Sequence, residues 1–205
     1  MPRRNHQRPR NTRSAGISTL RIIGGTWRGR KLSFPETEGL RPTPDRVRET
    51  LFNWLQAYLP GARCLDLFSG SGALGLEALS RGAASVTFVD QATEVVNHLR
   101  NNIHQLKAQN AEVVAASAVS WLDSRQPDEE VRYDLVFLDP PFHKGLVEPV
   151  CEMLEGRNLL REDAMIYIET ERSLTLNRLP ANWKLHREKT AGQVSYRLFV
   201  RQPGQ

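Results

Sequence analysis

The spacing of apolar and polar positions changes along this chain, and each change marks a new element. Between Ser18 and Pro35 two short apolar runs, Leu20 to Ile23 and Leu32 to Phe34, flank Gly24, Gly25 and Gly29. This predicts a β-hairpin with a glycine-rich connection over 18–35. Thr43-Pro44-Asp45 reads as a helix start, with Thr43 capping the free amides and Pro44 at the first helical position. Val47, Leu51, Leu55 and Tyr58 recur at helical spacing and predict one buried stripe, which Pro60 and Gly61 end.

Strands and helices alternate from there. Strands are expected at Arg63 to Phe68, Ser85 to Asp90, Glu112 to Ala116, Tyr133 to Asp139 and Ala164 to Glu169, with helices at Ala73 to Arg81, Thr93 to Ala108 and Ala118 to Leu122. One more helix precedes the fifth of these strands, and a pair of strands, Trp183 to Lys189 and Val194 to Arg201, closes the chain. Such alternation predicts an α/β fold: a Rossmann-like, mostly parallel sheet with a C-terminal antiparallel strand pair and an N-terminal hairpin extension. Residues 18–205 read as a single domain.

Composition narrows the class without deciding it. An apolar fraction of 40% with 25% charged residues is that of an ordinary globular protein. No apolar run reaches the roughly 18 residues that a membrane span needs. Cys64 and Cys151 cannot build a disulfide framework, and their separation fits no zinc spacing, so a reducing compartment and no metal are expected. Charge is more informative. Residues 1–35 hold nine basic residues and no acid, whereas 36–205 hold nineteen basic against twenty-three acidic. Residues 1–17 read as a basic disordered tail, and the asymmetry points to a polyanion, nucleic acid before membrane. A cytoplasmic monomer is expected.

Leu65-Asp66-Leu67-Phe68-Ser69-Gly70-Ser71-Gly72-Ala73-Leu74-Gly75 lies where a first strand meets a first helix. Glycines there let backbone amides approach a ligand, beside the positive end of the helix. Asp90 follows Gly70 by 20 residues, where a ribose-binding acid belongs. That spacing alone serves a nicotinamide-dependent oxidoreductase equally well. Asp66 shifts the balance, because a carboxylate beside the loop repels a pyrophosphate but suits the ammonium and sulfonium of S-adenosylmethionine. A capping or turn role is the alternative for Asp66. The pattern resembles the cofactor motif of class I methyltransferases, with Ser69, Gly70 and Gly72 in the loop, Asp90 on the ribose and Gln91 next to the adenine.

The strand ending at Leu138 runs into Asp139-Pro140-Pro141-Phe142, a stiff turn, since proline cannot extend a ladder. It holds a carboxylate and an aromatic ring at the carboxyl edge of the sheet. The motif resembles the Asp/Asn-Pro-Pro-aromatic signature of enzymes that methylate exocyclic base amines. Asp139 and the Pro140 carbonyl would accept the two amine hydrogens, and Phe142 would stack on the base. Guanine, with two adjacent donors on its Watson-Crick edge, fits an acceptor-only carboxylate better than adenine does.

Taken with Arg21-Ile22-Ile23-Gly24-Gly25, Arg28-Gly29 and the run from Arg41 to Asn53, these motifs resemble the RsmD family over roughly Leu20 to Arg201. That resemblance implies methylation of a guanine N2 in 16S rRNA, with the rRNA within a small-subunit assembly particle as the expected partner. It implies Ser117 near the adenine and Arg41, Thr43 and Arg46 as substrate or cofactor contacts, while the basic hairpin offers Arg21, Arg28 and Arg30, and the loop after Phe142 offers Lys144, to substrate phosphates. A DNA amine methyltransferase and a non-catalytic RNA-binding protein are the other readings.

Overall fold

The computed structural model describes residues 16–35, 43–126 and 131–203. The predicted tail over 1–17 lies almost wholly outside the described residues, and so does Arg41. Strands β1 (Ile17–Arg21) and β2 (Lys31–Pro35) form the antiparallel hairpin, with Ile17 opposite Pro35. Helix α1 (Asp45–Leu55) follows. The remaining elements are β3 (Arg63–Asp66), α2 (Ala73–Ser80), β4 (Ser85–Asp90), α3 (Thr93–Leu106), β5 (Ala111–Ala115), α4 (Ala118–Asp123), β6 (Tyr133–Leu138), α5 (Val147–Gly156), β7 (Leu160–Glu171), β8 (Trp183–Ala191) and β9 (Val194–Arg201).

Seven strands form one sheet in the order β5-β4-β3-β6-β7-β9-β8. The first five are parallel, while β9 runs antiparallel to both β7 and β8. This is the expected α/β architecture. Alternation along the strands divides the core in two. Cys64, Phe88, Leu135, Phe137, Met165 and Tyr167 face α1, α2, α3 and the hairpin. Leu65, Val89, Val136, Leu138, Ile166 and Ile168 face α4 and α5. A residue two positions beyond Phe88, Phe137 or Tyr167 therefore emerges on the hairpin side of the sheet.

Two expectations about α1 are corrected. Its buried stripe is Val47, Leu51, Phe52 and Leu55, and Tyr58, at 44% exposure, lies beyond the last helical turn. Thr43 is not its cap. No side chain caps α1, and the hydroxyl of Thr43 is drawn away toward the sheet.

The connection from Ile22 to Arg30 is clamped onto the end of α2. Glu77, fully buried, accepts from the amides of Ile23 and Gly24, each at 2.8 Å, and pairs with Arg81 at 2.6 Å and Arg48 at 3.5 Å. Ser80 adds three bonds: its hydroxyl donates to the Gly24 carbonyl, its Oγ accepts from Trp27 N, and its own carbonyl accepts from Thr26 N. Gly25 has φ of +74°, and a Cβ there would lie 1.8 Å from the Ser80 carbonyl oxygen, so only glycine fits.

Candidate active site

Register places the chemistry-bearing residues in one line. Asp66 pairs with Phe88 on one side and Phe137 on the other, and Phe137 pairs with Tyr167. Asp90, Asp139 and Glu169 each stand two residues beyond that row, on the same face. Four adjacent parallel strands, β4, β3, β6 and β7, thus carry a carboxylate at or near their carboxyl ends on one side of the sheet. Among the described residues, none of the four is ion-paired with a lysine or arginine.

The glycine loop is braced from within. Ser69 is buried, and its hydroxyl lies 2.8 Å from the Asp66 carbonyl and 3.1 Å from that of Val89. Asp90 accepts from Gly70 N at 2.9 Å and from Ala92 N at 2.8 Å, tying the loop to the end of β4. Gly70 and Gly72 take φ of +49° and +77°, which other residues rarely adopt. Gly75 serves packing, since a Cβ there would lie 2.2 Å from Phe88.

Asp66 accepts from Gly75 N at 3.0 Å, so it does take one orphan amide in the first turn of α2, the capping role considered from the sequence. One backbone bond does not offset its burial. Desolvation, with the Asp90 charge adding to it, pushes the Asp66 carboxyl up to about 7. Asp139 is half-buried at the rim, and its carboxyl is raised well above the usual range by desolvation, by Glu169 and by Asp66. Glu169 is 4% exposed and is raised by burial too, against hydrogen bonds from Tyr167 and Thr43. A site that holds several carboxylates without a cation is built to receive positive charge.

The other predicted residues fall into three groups. Pro140 is buried beneath the turn, and Phe142, half-buried, meets His143 edge-on at 6.4 Å. Gln91 is exposed beside the loop, and Ser117 caps α4, accepting from Ser120 N at 3.1 Å. Arg28, Arg46 and Lys144 are exposed, Arg21 lies 3.4 Å from Asp45, and Arg30 donates to the Gln105 carbonyl. The sequence reading missed Glu169, Glu77 and Arg48. Glu169 ends an apolar strand just as Asp139 does, and that parallel was available. Glu77 is the lone charge in an otherwise apolar helix, which signals a buried partner. Arg48 reads as a surface pair with Asp45, yet it is 2% exposed.

The family model described as "Conserved hypothetical protein 95" matches residues 20–200. Ribosomal RNA small subunit methyltransferase D of Escherichia coli strain K12 is 52% identical over 188 residues, covering 92% of this chain and 93% of that relative. The protein of the same name from Haemophilus influenzae is 50% identical over 182 residues, covering 88% and 93%. The solved structure of yhhF from Escherichia coli superposes with a TM-score of 0.84 at 50% identity, covering 90% of this chain and 99% of that one. A more distant chain solved with SAH, SMU.776, has a TM-score of 0.68 at 15% identity over 95% of this chain and 58% of its own, and shares the fold alone. With the family model spanning nearly every described element and relatives of this identity matching along most of their length, the chain belongs to the RsmD family of methyltransferases.

Proposed function

We propose that this protein transfers the methyl group of S-adenosylmethionine to N2 of a guanine in 16S rRNA of the small ribosomal subunit. The observation that carries the reading is the carboxylate of Asp139, held beside the Pro140-Pro141 turn in a row of acids that, among the described residues, has no lysine or arginine partner. Relatives named as small subunit rRNA methyltransferases support the substrate class.

The cofactor would lie against Asp66, Ser69, Gly70, Gly72, Asp90, Gln91 and Ser117. The residues suit it: the glycines let the backbone approach a ligand closely, and carboxylates without a lysine or arginine partner among the described residues favour an ammonium and a sulfonium over a pyrophosphate. When bound, it supplies an electrophilic methyl group. Asp139 and the Pro140 carbonyl accept the two amine hydrogens, which draws the nitrogen toward a tetrahedral shape and frees its lone pair. Phe142 stacks on the base and fixes the line of attack, so positioning does most of the work. Asp139 then takes the proton from the methylated nitrogen, a task that its raised carboxyl suits. Arg21, Arg28, Arg30, Arg41, Thr43, Arg46 and Lys144 are the proposed substrate contacts, the arginines and the lysine chiefly through phosphates.

The test is transfer of labelled methyl groups to 16S rRNA, naked and within small-subunit particles, from cells lacking the enzyme, followed by nucleoside analysis. N2-methylguanosine is the expected product. Label on adenosine or cytidine would overturn the choice of base, and preferential labelling of duplex DNA the choice of substrate.

A further inference from the structure

Thr43 stands between two acids. Its Oγ1 lies 3.4 Å from Asp139 Oδ2 and 3.3 Å from Glu169 Oε2, and the same Glu169 oxygen accepts from the Tyr167 hydroxyl at 2.8 Å. A hydroxyl has one hydrogen, so it cannot donate to both carboxylates. If both acids were ionised, one of them would face a bare oxygen lone pair in a largely desolvated place. A single added proton satisfies every partner: Tyr167 donates to Glu169, Glu169 donates to Thr43, and Thr43 donates to Asp139. The reverse chain would put the proton on Asp139. The amine decides between them: its hydrogens need an ionised acceptor at Asp139, so with substrate in place the shared proton belongs on Glu169, which is 4% exposed.

We propose that Glu169 is a positioning residue for methyl transfer: carrying the proton the two acids share when the amine is bound, it turns the Thr43 hydroxyl toward Asp139 and leaves Asp139 as an ionised acceptor. This rests on the reading of Asp139 given above. Thr43 is fixed for the task from behind, since its carbonyl accepts from Arg48 Nε at 3.2 Å. The groups facing Glu169 are few. They are Asp139 from the end of β6, Tyr196 opposite it on β9, and Tyr167 on its own strand, with Thr43 between it and Asp139. On its other side a small cavity is lined also by His143, Lys144, Glu148 and Glu171. His143 Nδ1 lies 3.2 Å from Glu171, so the imidazole is already engaged there.

Glu169→Gln separates this role from a merely structural one, because the amide keeps the size and donates a hydrogen but cannot ionise. Single-turnover methyl transfer is measured from pH 6 to 8.5 with wild type, Glu169→Gln, Glu169→Ala and Thr43→Val. Glu169→Gln is expected within about threefold of the wild-type rate at pH 7, without the wild-type decline at the alkaline end. Glu169→Ala and Thr43→Val are expected to lose about twentyfold in kcat, and for Glu169→Ala KM for RNA should change by less than about twofold. A Gln variant as slow as the Ala variant would overturn the proposal, and so would one that keeps the wild-type alkaline decline. If the Ala variant fails to fold, the Gln profile decides alone. Wild-type label on a different nucleoside would defeat the guanine reading and leave this comparison intact.

Discussion

Glu77 and Asp66 are both withdrawn from water at opposite ends of α2, yet the chain provides for them differently. Glu77 meets two guanidiniums, from Arg48 and Arg81, and two backbone amides. Asp66 meets one backbone amide and, through space, further negative charge from Asp90. A fully paired buried charge holds structure together, and here it fastens the hairpin to the body. An unpaired one costs stability and is retained where a ligand supplies what is missing.

The largest effect expected at the unpaired end is on catalysis. Asp139→Ala should lower methyl transfer about a thousandfold while cofactor affinity, read by calorimetry, changes by less than about threefold. Retained activity would remove Asp139 from the reaction. At the paired end the effect is on folding. Glu77→Ala should cost about 3–5 kcal/mol in urea denaturation, because the buried Arg48 guanidinium, the part-exposed Arg81 and two backbone amides lose their partner. Adding Arg48→Met should restore only part of this, since the amides of Ile23 and Gly24 still lack an acceptor.

A smaller effect distinguishes the two ends by pH. The folded chain holds the Asp66 proton up to about pH 7, whereas the unfolded chain releases it in the ordinary carboxylate range. Native protein therefore binds more protons across that window, and stability falls as pH rises through it. Asp66→Asn keeps an acceptor for Gly75 N and should flatten part of this slope, raising the melting temperature by a few degrees at pH 8 and weakening cofactor binding. An unchanged slope would mean that Asp66 is no more burdened than Glu77. The smallest effect lies at the surface. Each of Arg28 and Arg30 that neutralises a phosphate should, when changed to Ala, lower the salt slope of RNA binding by about 0.7 to 0.9 log units per log unit of salt. Removing residues 1–16 tests the tail in the same way.

Most of the fold was legible because it rests on local pattern. The strand Ser85 to Asp90 was placed to the residue, since an apolar run is bounded there by a turn and an acid. Asp66, Asp90 and Asp139 stood out because each closes an apolar run, Asp66 four residues before Gly70, Asp90 twenty after it and Asp139 directly before two prolines. What could not be read came from contacts distant in sequence. Thr43 has the residue type and position of a helix cap, and only the approach of Asp139 and Glu169, 96 and 126 residues away, redirects its hydroxyl. Arg48 lies three residues from Asp45 on a helix with the look of a solvated pair, and the hairpin folding over it is what buries it. Tyr58 fits the helical spacing, but the helix ends at Leu55 before it can turn inward.

The close seat of Gly25 against Ser80 makes α2 a ruler. Its first turn abuts the glycine loop and its last turn grips the basic connection, so eight residues, about 12 Å of helix, set the interval between them. On the proposed reading, an RNA held by the hairpin would be gripped at a fixed reach from the methyl donor, and only a nucleotide able to span that reach would come into line with Asp139. Site selection in such an enzyme is then partly a matter of length, set by a helix that touches neither the base nor the phosphate.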